Sequence, residues 1–201
     1  MSPRNVPRPA TMPPRPANKG LAIVCGGAWT VDDDYALALR RFPDATVIAV
    51  NGAAWRVRAH HLFSLHPKDF IDRGWIQKQE SRFGPGFKVN GARAKNKADQ
   101  EWRARENSYV DRWWPGVSTA GTSVWGGARL AKAMGHDRIL LCGAPMQPGP
   151  YAHGGPAPAF LESDILEQYR SAIAADTEMH KVTRSMSGWT REILGGPSWS
   201  R

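Results

Sequence analysis

The chain has 201 residues, with 27 basic and 18 acidic side chains and a formal charge of +9. That length suits one domain with a real hydrophobic core. No apolar run approaches the roughly 20 residues of a membrane span, and the N-terminus lacks the apolar stretch of a secretory signal, so the expected location is cytoplasmic, with no membrane partner.

The charge is unevenly placed. Residues 1–19 carry Arg4, Arg8, Arg15 and Lys19 and no acid, while residues 78–115 carry nine basic groups against five acids. These two stretches supply eight of the nine net positive charges, so the rest of the chain is nearly neutral. Basic segments of this kind attract DNA or another polyanion without reading its sequence. Residues 1–19 are rich in proline and arginine, have little to bury, and read as a disordered tail. Residues 20–201 read as a single α/β domain.

The domain opens on Leu21–Cys25, five apolar residues that predict a strand, followed by Gly26-Gly27 and a helix starting near Thr30 or Asp32. Glycine at a strand's end permits a sharp turn and a close approach of ligand to backbone. Thr30 and Asp33 stand in a capping-box spacing, and Tyr35, Ala38, Leu39 and Phe42 fall on one helical face. Asp32, Asp33 and Asp34 suit the helix dipole but repel a phosphate at the same place.

A second strand is predicted over Thr46–Val50, making a right-handed βαβ unit with the first. It ends at Asn51-Gly52, which puts Asn51 beside the glycine loop, placed to read a base or ribose edge. Leu62–Leu65 predicts a third strand, ending at His66-Pro67. Residues 77–115 break the pattern and read as a basic insert or lid. Within it, Ala98, Trp102, Tyr109 and Trp113 suggest an amphipathic helix, whose aromatic stripe suits core packing better than stacking on bases.

Ser118–Ser123 is a run of small hydroxyl residues and glycine before a helix carrying Val124, Ala128, Ala131 and Met134, closed by Gly135. This helix has no acid in its first turn, so Gly121, Thr122 and Ser123 are the better seat for a phosphate. The strand Arg138–Cys142 follows and ends at Gly143. The Gly/Pro-rich loop 144–159 contains one titratable residue, His153, a candidate general base because imidazole works near neutral pH. A helix over 160–180, with Leu161, Ile165, Tyr169 and Ile173 on its stripe, and a short final helix within 186–195 complete the prediction. Cys25 and Cys142 each end an apolar strand and read as buried, reduced thiols.

The chain lacks GxGxxG, a P-loop lysine, a GxSxG elbow and HExxH. The segments AIVCGGAWT, IAVNGAAW, LFSLHP, TSVWGGARLAKAMGHDRILLCGAPM and RSMSGWTREILGGP together resemble a group of phage and prophage proteins of unassigned function. More distantly, the set is similar to two Rossmann-like families: bacterial sialyltransferases that use CMP-sialic acid, and the family containing the archaeal hydroxymethylpterin pyrophosphokinase. The likeness to these covers about residues 20–67 and 118–146. It implies a Rossmann-like, mostly parallel sheet and a nucleotide-sugar site lined by Gly26, Gly27, Asn51, Thr122 and Ser123. The glycine loop departs from the sialyltransferase form Gly-Asn-Gly-Pro-Ser, and no catalytic histidine is matched by motif.

The resulting expectation is a phage-type, glycosyltransferase-like enzyme in the host cytoplasm. It binds a nucleotide or nucleotide-sugar at the sheet's carboxyl edge through Gly26, Gly27, Asn51, Gly121, Thr122, Ser123 and Gly143. His153 or His66 serves as the base, DNA is a candidate acceptor, and no divalent metal is indicated. An oligomer is left open. A non-catalytic phage protein binding DNA or a virion component is the alternative. A pyrophosphokinase-like enzyme, with Asp32–Asp34 on a metal, is the third reading.

Overall fold

Short apolar runs that hydrogen-bond on both edges must bury both faces, and that demand shapes this molecule. The computed structural model describes residues 20–92, 109–114, 116–117, 122–154 and 164–199. Its strands are β1 (Leu21–Cys25), β2 (Thr46–Val50), β3 (His61–Ser64), β4 (Lys88–Ala92), β5 (Arg112–Trp114), β6 (Arg138–Cys142) and β7 (Thr183–Ser185). They form one seven-stranded sheet in the order β5-β4-β3-β2-β1-β6-β7, and every neighbouring pair is parallel. The fold is α/β and Rossmann-like, with helices on both faces.

Strand residues alternate between two cores, as the period of two requires. Val24, Ile48, Val50, Phe63, Ile139 and Leu141 pack beneath the Ser123–Ala133 helix, together with Leu166, Ile173 and Leu194 from the C-terminal helices. Ile23, Val47, Ala49, Leu62 and Leu140 pack on the other face. There they meet the Val31–Arg41 helix, the 3-10 turn Asn51–Trp55 and the Trp75–Phe83 helix. Cys25 and Cys142 are register neighbours on β1 and β6, both free and fully buried. Burial, and the neighbouring Cys25 thiol, push the Cys142 thiol well above its ordinary range, which makes it unreactive.

The segment 77–115 is not an insert in its described parts. It supplies most of the Trp75–Phe83 helix and the strands β4 and β5. Strand β4 (Lys-Val-Asn-Gly-Ala) shows no apolar run because Asn90, buried in it, is satisfied by polar partners. Its amide donates to Leu62 O at 3.3 Å, and its carbonyl accepts from Trp114 Nε1 at 2.9 Å. Those bonds tie β3, β4 and β5 together. Trp113 belongs to strand β5, not to a helix, and the rest of the expected amphipathic helix lies outside the described residues.

At the other edge, Thr183–Ser185 is a strand without hydrophobic residues, covered by the Gly188–Leu194 helix. The predicted helix over 160–180 is two helices, Asp164–Ala174 and Thr177–His180. Its buried side is Leu166 and Ile173, whereas Ile165 is 42% exposed. The tail 1–19 and Leu161 lie outside the described residues.

Candidate functional site

In an open parallel sheet the strand order reverses where successive connections leave to opposite sides, and a crevice opens there at the carboxyl ends. Here β1 is flanked by β2 and β6, so the crevice lies beyond Cys25 and Cys142. A cavity of about 570 Å³ occupies it. Gly26, Gly27, Asn51, His66, Thr122, Ser123, Gly143 and His153 all line it, drawn from loops after β1, β2, β3 and β6 and from a helix start. Gly121 lies outside the described residues.

The floor is two interlocked loops. Gly26 N donates to Cys142 O at 2.8 Å, and Ala28 N to Gly143 O at 3.2 Å. A Cβ on Gly26 would lie 2.5 Å from Gly143 O. Gly143 has φ +61°, and a Cβ on it would lie 2.5 Å from Val31 Cβ. Both glycines are required by close approach of backbone. With the amides of Gly26 and Ala28 spent on β6, this loop forms a wall of the site.

The three aspartates have separate fates. Asp32 forms an ion pair with Arg56. Asp33 is exposed. Asp34 is buried, with Oδ2 accepting from Gly143 N at 2.9 Å and from Ser187 Oγ at 2.7 Å. They therefore do not form a shared ligand set for a metal, as the pyrophosphokinase reading required. Among the described residues no group of three or more His, Cys, Asp or Glu could hold a metal ion. The capping box is also corrected, because Thr30 makes no side-chain cap and its hydroxyl lies 3.1 Å from Ser187 Oγ.

Ser187 belongs to a C-terminal latch that sequence reasoning left without a role. Thr190 Oγ1 donates to Ala144 O at 2.7 Å and lies 2.8 Å from Ser185 Oγ. Arg170 donates to Met146 O through Nε and Nη2, at 3.2 and 2.8 Å. The loop after β6 is thus held from below by residues at least 24 positions away in sequence.

Among the described residues two non-glycine residues have left-handed backbone, Asn51 (φ +52°) and Met146 (φ +51°), and both line the cavity. Such conformations are uncommon outside glycine and cluster at functional sites. Asn51 Oδ1 is buried without a hydrogen-bond partner among the described residues, as is Nε1 of Trp55 at the end of the same turn. A buried acceptor left unmade costs about 1–3 kcal/mol.

His153 stands above this turn. Its ring centroid lies 5.2 Å from Trp55 and 5.0 Å from Tyr151. A Cβ on Gly52 would touch the imidazole at 3.3 Å. Desolvation by these neighbours, then the charges of Arg73, Lys78 and Arg56, lower the His153 pKa below 6.5. The imidazole is therefore mostly neutral at pH 7 and can accept a proton. His66 lines the cavity beyond β3, and its backbone N–H donates to Ser64 Oγ at 2.9 Å.

On the opposite side of the sheet edge, Thr122 caps the Ser123–Ala133 helix, with Oγ1 accepting from Trp125 N at 3.4 Å. Asp176 anchors this helix from outside by accepting from Trp125 Nε1 at 3.0 Å and from Arg129 Nη2 at 2.6 Å. Burial favours the protonated Asp176, but the bonds from Arg129 and Trp125 outweigh it and hold the carboxyl below its usual range. The first turn contains no acid, and Thr122, Ser123 and Val124 line the cavity. Trp55, Arg73 and Tyr151 also line the cavity. No motif marks them in the sequence; each is placed by the packing of turns that follow different strands.

No family model matches the chain, and no curated protein matches it. Among solved structures it is similar to the MAf glycosyltransferase from Magnetospirillum magneticum AMB-1, with a TM-score of 0.48 and 15% identity. The similarity covers 83% of this chain and 32% of that protein, so the chain spans about a third of the length of that structure.

Proposed function

We propose that the protein is a phage-type, glycosyltransferase-like enzyme that binds a nucleotide-sugar in the cavity beyond β1, β2 and β6. The observation that carries this reading is Asn51, held in a left-handed conformation at the carboxyl end of β2 with its Oδ1 buried and unpartnered at the cavity. An acceptor fixed there suits an N–H of a base or a ribose hydroxyl. The acid-free start of the Ser123–Ala133 helix suits the phosphate, through the N–H groups of Ser123 and Val124. The size of the cavity is in the range of small-molecule sites.

In this reading an acceptor hydroxyl attacks the anomeric carbon of the donor. The new carbon–oxygen bond forms as the bond to the phosphate oxygen breaks, and the nucleotide leaves with that electron pair. The proton of the hydroxyl passes to the neutral imidazole of His153, with His66 as the second candidate. Helix-start N–H groups stabilise charge growing on the leaving phosphate.

Thermal shift with saturating CMP, UMP, GDP and their sugars tests the donor site. A rise in Tm with one nucleotide class, smaller in Asn51→Ala, supports the reading. No shift with any of them removes its basis.

A further inference from the structure

The cavity has two flanks, on opposite layers of the sheet. The Ser123–Ala133 helix belongs to the layer over Val24, Val50 and Phe63, whereas Trp55 and Trp75 belong to the layer over Ile23, Val47 and Leu62. Three cations stand on the side of the second flank, and of these Arg73 lines the cavity, as does Asp69. Arg56 follows the Asn51–Trp55 turn, Arg73 ends the short Asp69–Asp72 helix, and Lys78 lies in the Trp75–Phe83 helix. Lys78 Nζ sits 3.1 Å from the Trp55 ring centroid, and the His153 ring lies 5.2 Å from the same ring. Arg73 lines the cavity with its side chain 65% exposed. Its carboxylate contact is Asp69, through Nε at 3.5 Å, longer than a normal hydrogen bond.

We infer that this flank is the acceptor subsite and that the acceptor is a small acidic molecule, with a carboxylate or phosphate near its reacting hydroxyl. The inference rests on the donor site proposed above. Arg73, which lines the cavity, takes the charge, Lys78 on the Trp55 ring adds to the positive field, His153 faces the hydroxyl, and the exposed ring of Tyr151 borders the entry. Two charges on two layers do not compete, because the donor phosphate is drawn to the helix start on the far flank. Two of the three cations here pair with Asp32 and Asp69, which leaves a poor track for the regularly spaced phosphates of a nucleic acid.

The test is a titration of the full chain, followed by the His153 side-chain NMR signal at 150 mM salt. The probes are glucuronate, glucose 6-phosphate, neutral glucose and a twelve-nucleotide single-stranded DNA. Saturable movement with either acid, at least tenfold tighter than with glucose, is expected; which acid wins distinguishes carboxylate from phosphate. Lys78→Met and Arg73→Ala should each weaken that acid about tenfold. Lys78→Arg should retain it, and Lys181→Ala, at an exposed site elsewhere, should leave it unchanged. Equal response to glucose, no response to either acid, or response to DNA alone overturns the inference. Nucleotide-induced thermal shift in the unmodified chain, measured alongside, tells failure of the donor site from failure of the acceptor assignment.

Discussion

The two flanks of the cavity work by different physics. The flank built on the Ser123–Ala133 helix is small and apolar, and offers backbone donors. Gly126 and Gly127 let that helix lie close on the sheet, and Thr122, Trp125 and Asp176 fix its start. The flank built on the Asn51–Trp55 turn offers side chains: an orphaned amide oxygen, an imidazole between two aromatic rings, and a group of cations. Damage to the first should act through packing and geometry, and damage to the second through charge and proton transfer.

The largest effect is expected on the polar flank. Once a donor is identified, His153→Ala should lower the transfer rate by about 10²–10⁴-fold, the usual range for a lost general base. Steady-state kinetics checks this, and a rate within a factor of three would move the role to His66. Beneath both flanks, Gly143→Ala forces a Cβ to 2.5 Å from Val31 Cβ at a positive φ. Backbone strain and overpacking together predict a loss of about 2–5 kcal/mol, read by urea denaturation.

The helix flank is broken by Gly127→Ala, whose Cβ would meet Val50 Cγ2 at 2.7 Å and Val24 Cγ1 at 3.0 Å. About 1–3 kcal/mol of destabilisation is expected from overpacking, without change in the NMR titration of His153. Thr190→Val removes the donor to Ala144 O and leaves Ser185 Oγ with only its 3.4 Å bond to Ser187 O, and should cost about 1–3 kcal/mol. Because Ala144 lines the cavity, nucleotide affinity should fall with it, which calorimetry would separate from simple loss of stability.

The smallest and most specific effect is with pH. Burial and the nearby cations depress the His153 pKa in the folded state, so the unfolded chain binds the proton more readily. Its contribution to stability is complete above pH 6.5 and is lost as pH falls below 6.5 through the folded value. The acid limb of the rate profile should likewise lie below pH 6.5. In Lys78→Met the limb should move upward, because a cation that opposes imidazolium has gone.

Much of the architecture is legible from local pattern. The apolar runs ending in Cys25, Val50 and Cys142 mark central strands, since a strand buried on both faces needs side chains that tolerate it on both. Strand β4, with Asn90 at its centre, and strand β7, Thr-Arg-Ser, escape such a reading. Their burial is conferred by hydrogen bonds and by a covering helix, not by their own composition. The same limit applies to Asp34, which reads as a helix-start acid like Asp32 and Asp33 but turns inward to a loop 109 residues away.

The sequence by itself determined which residues stand at strand ends, because glycine, asparagine and histidine interrupt apolar runs there. Tertiary structure alone decided that these ends share one edge, with Gly26 against Gly143 and Asn51 beneath His153. It also brought up Arg73, Lys78 and the C-terminal latch, because strand order and helix packing join turns that the chain keeps far apart.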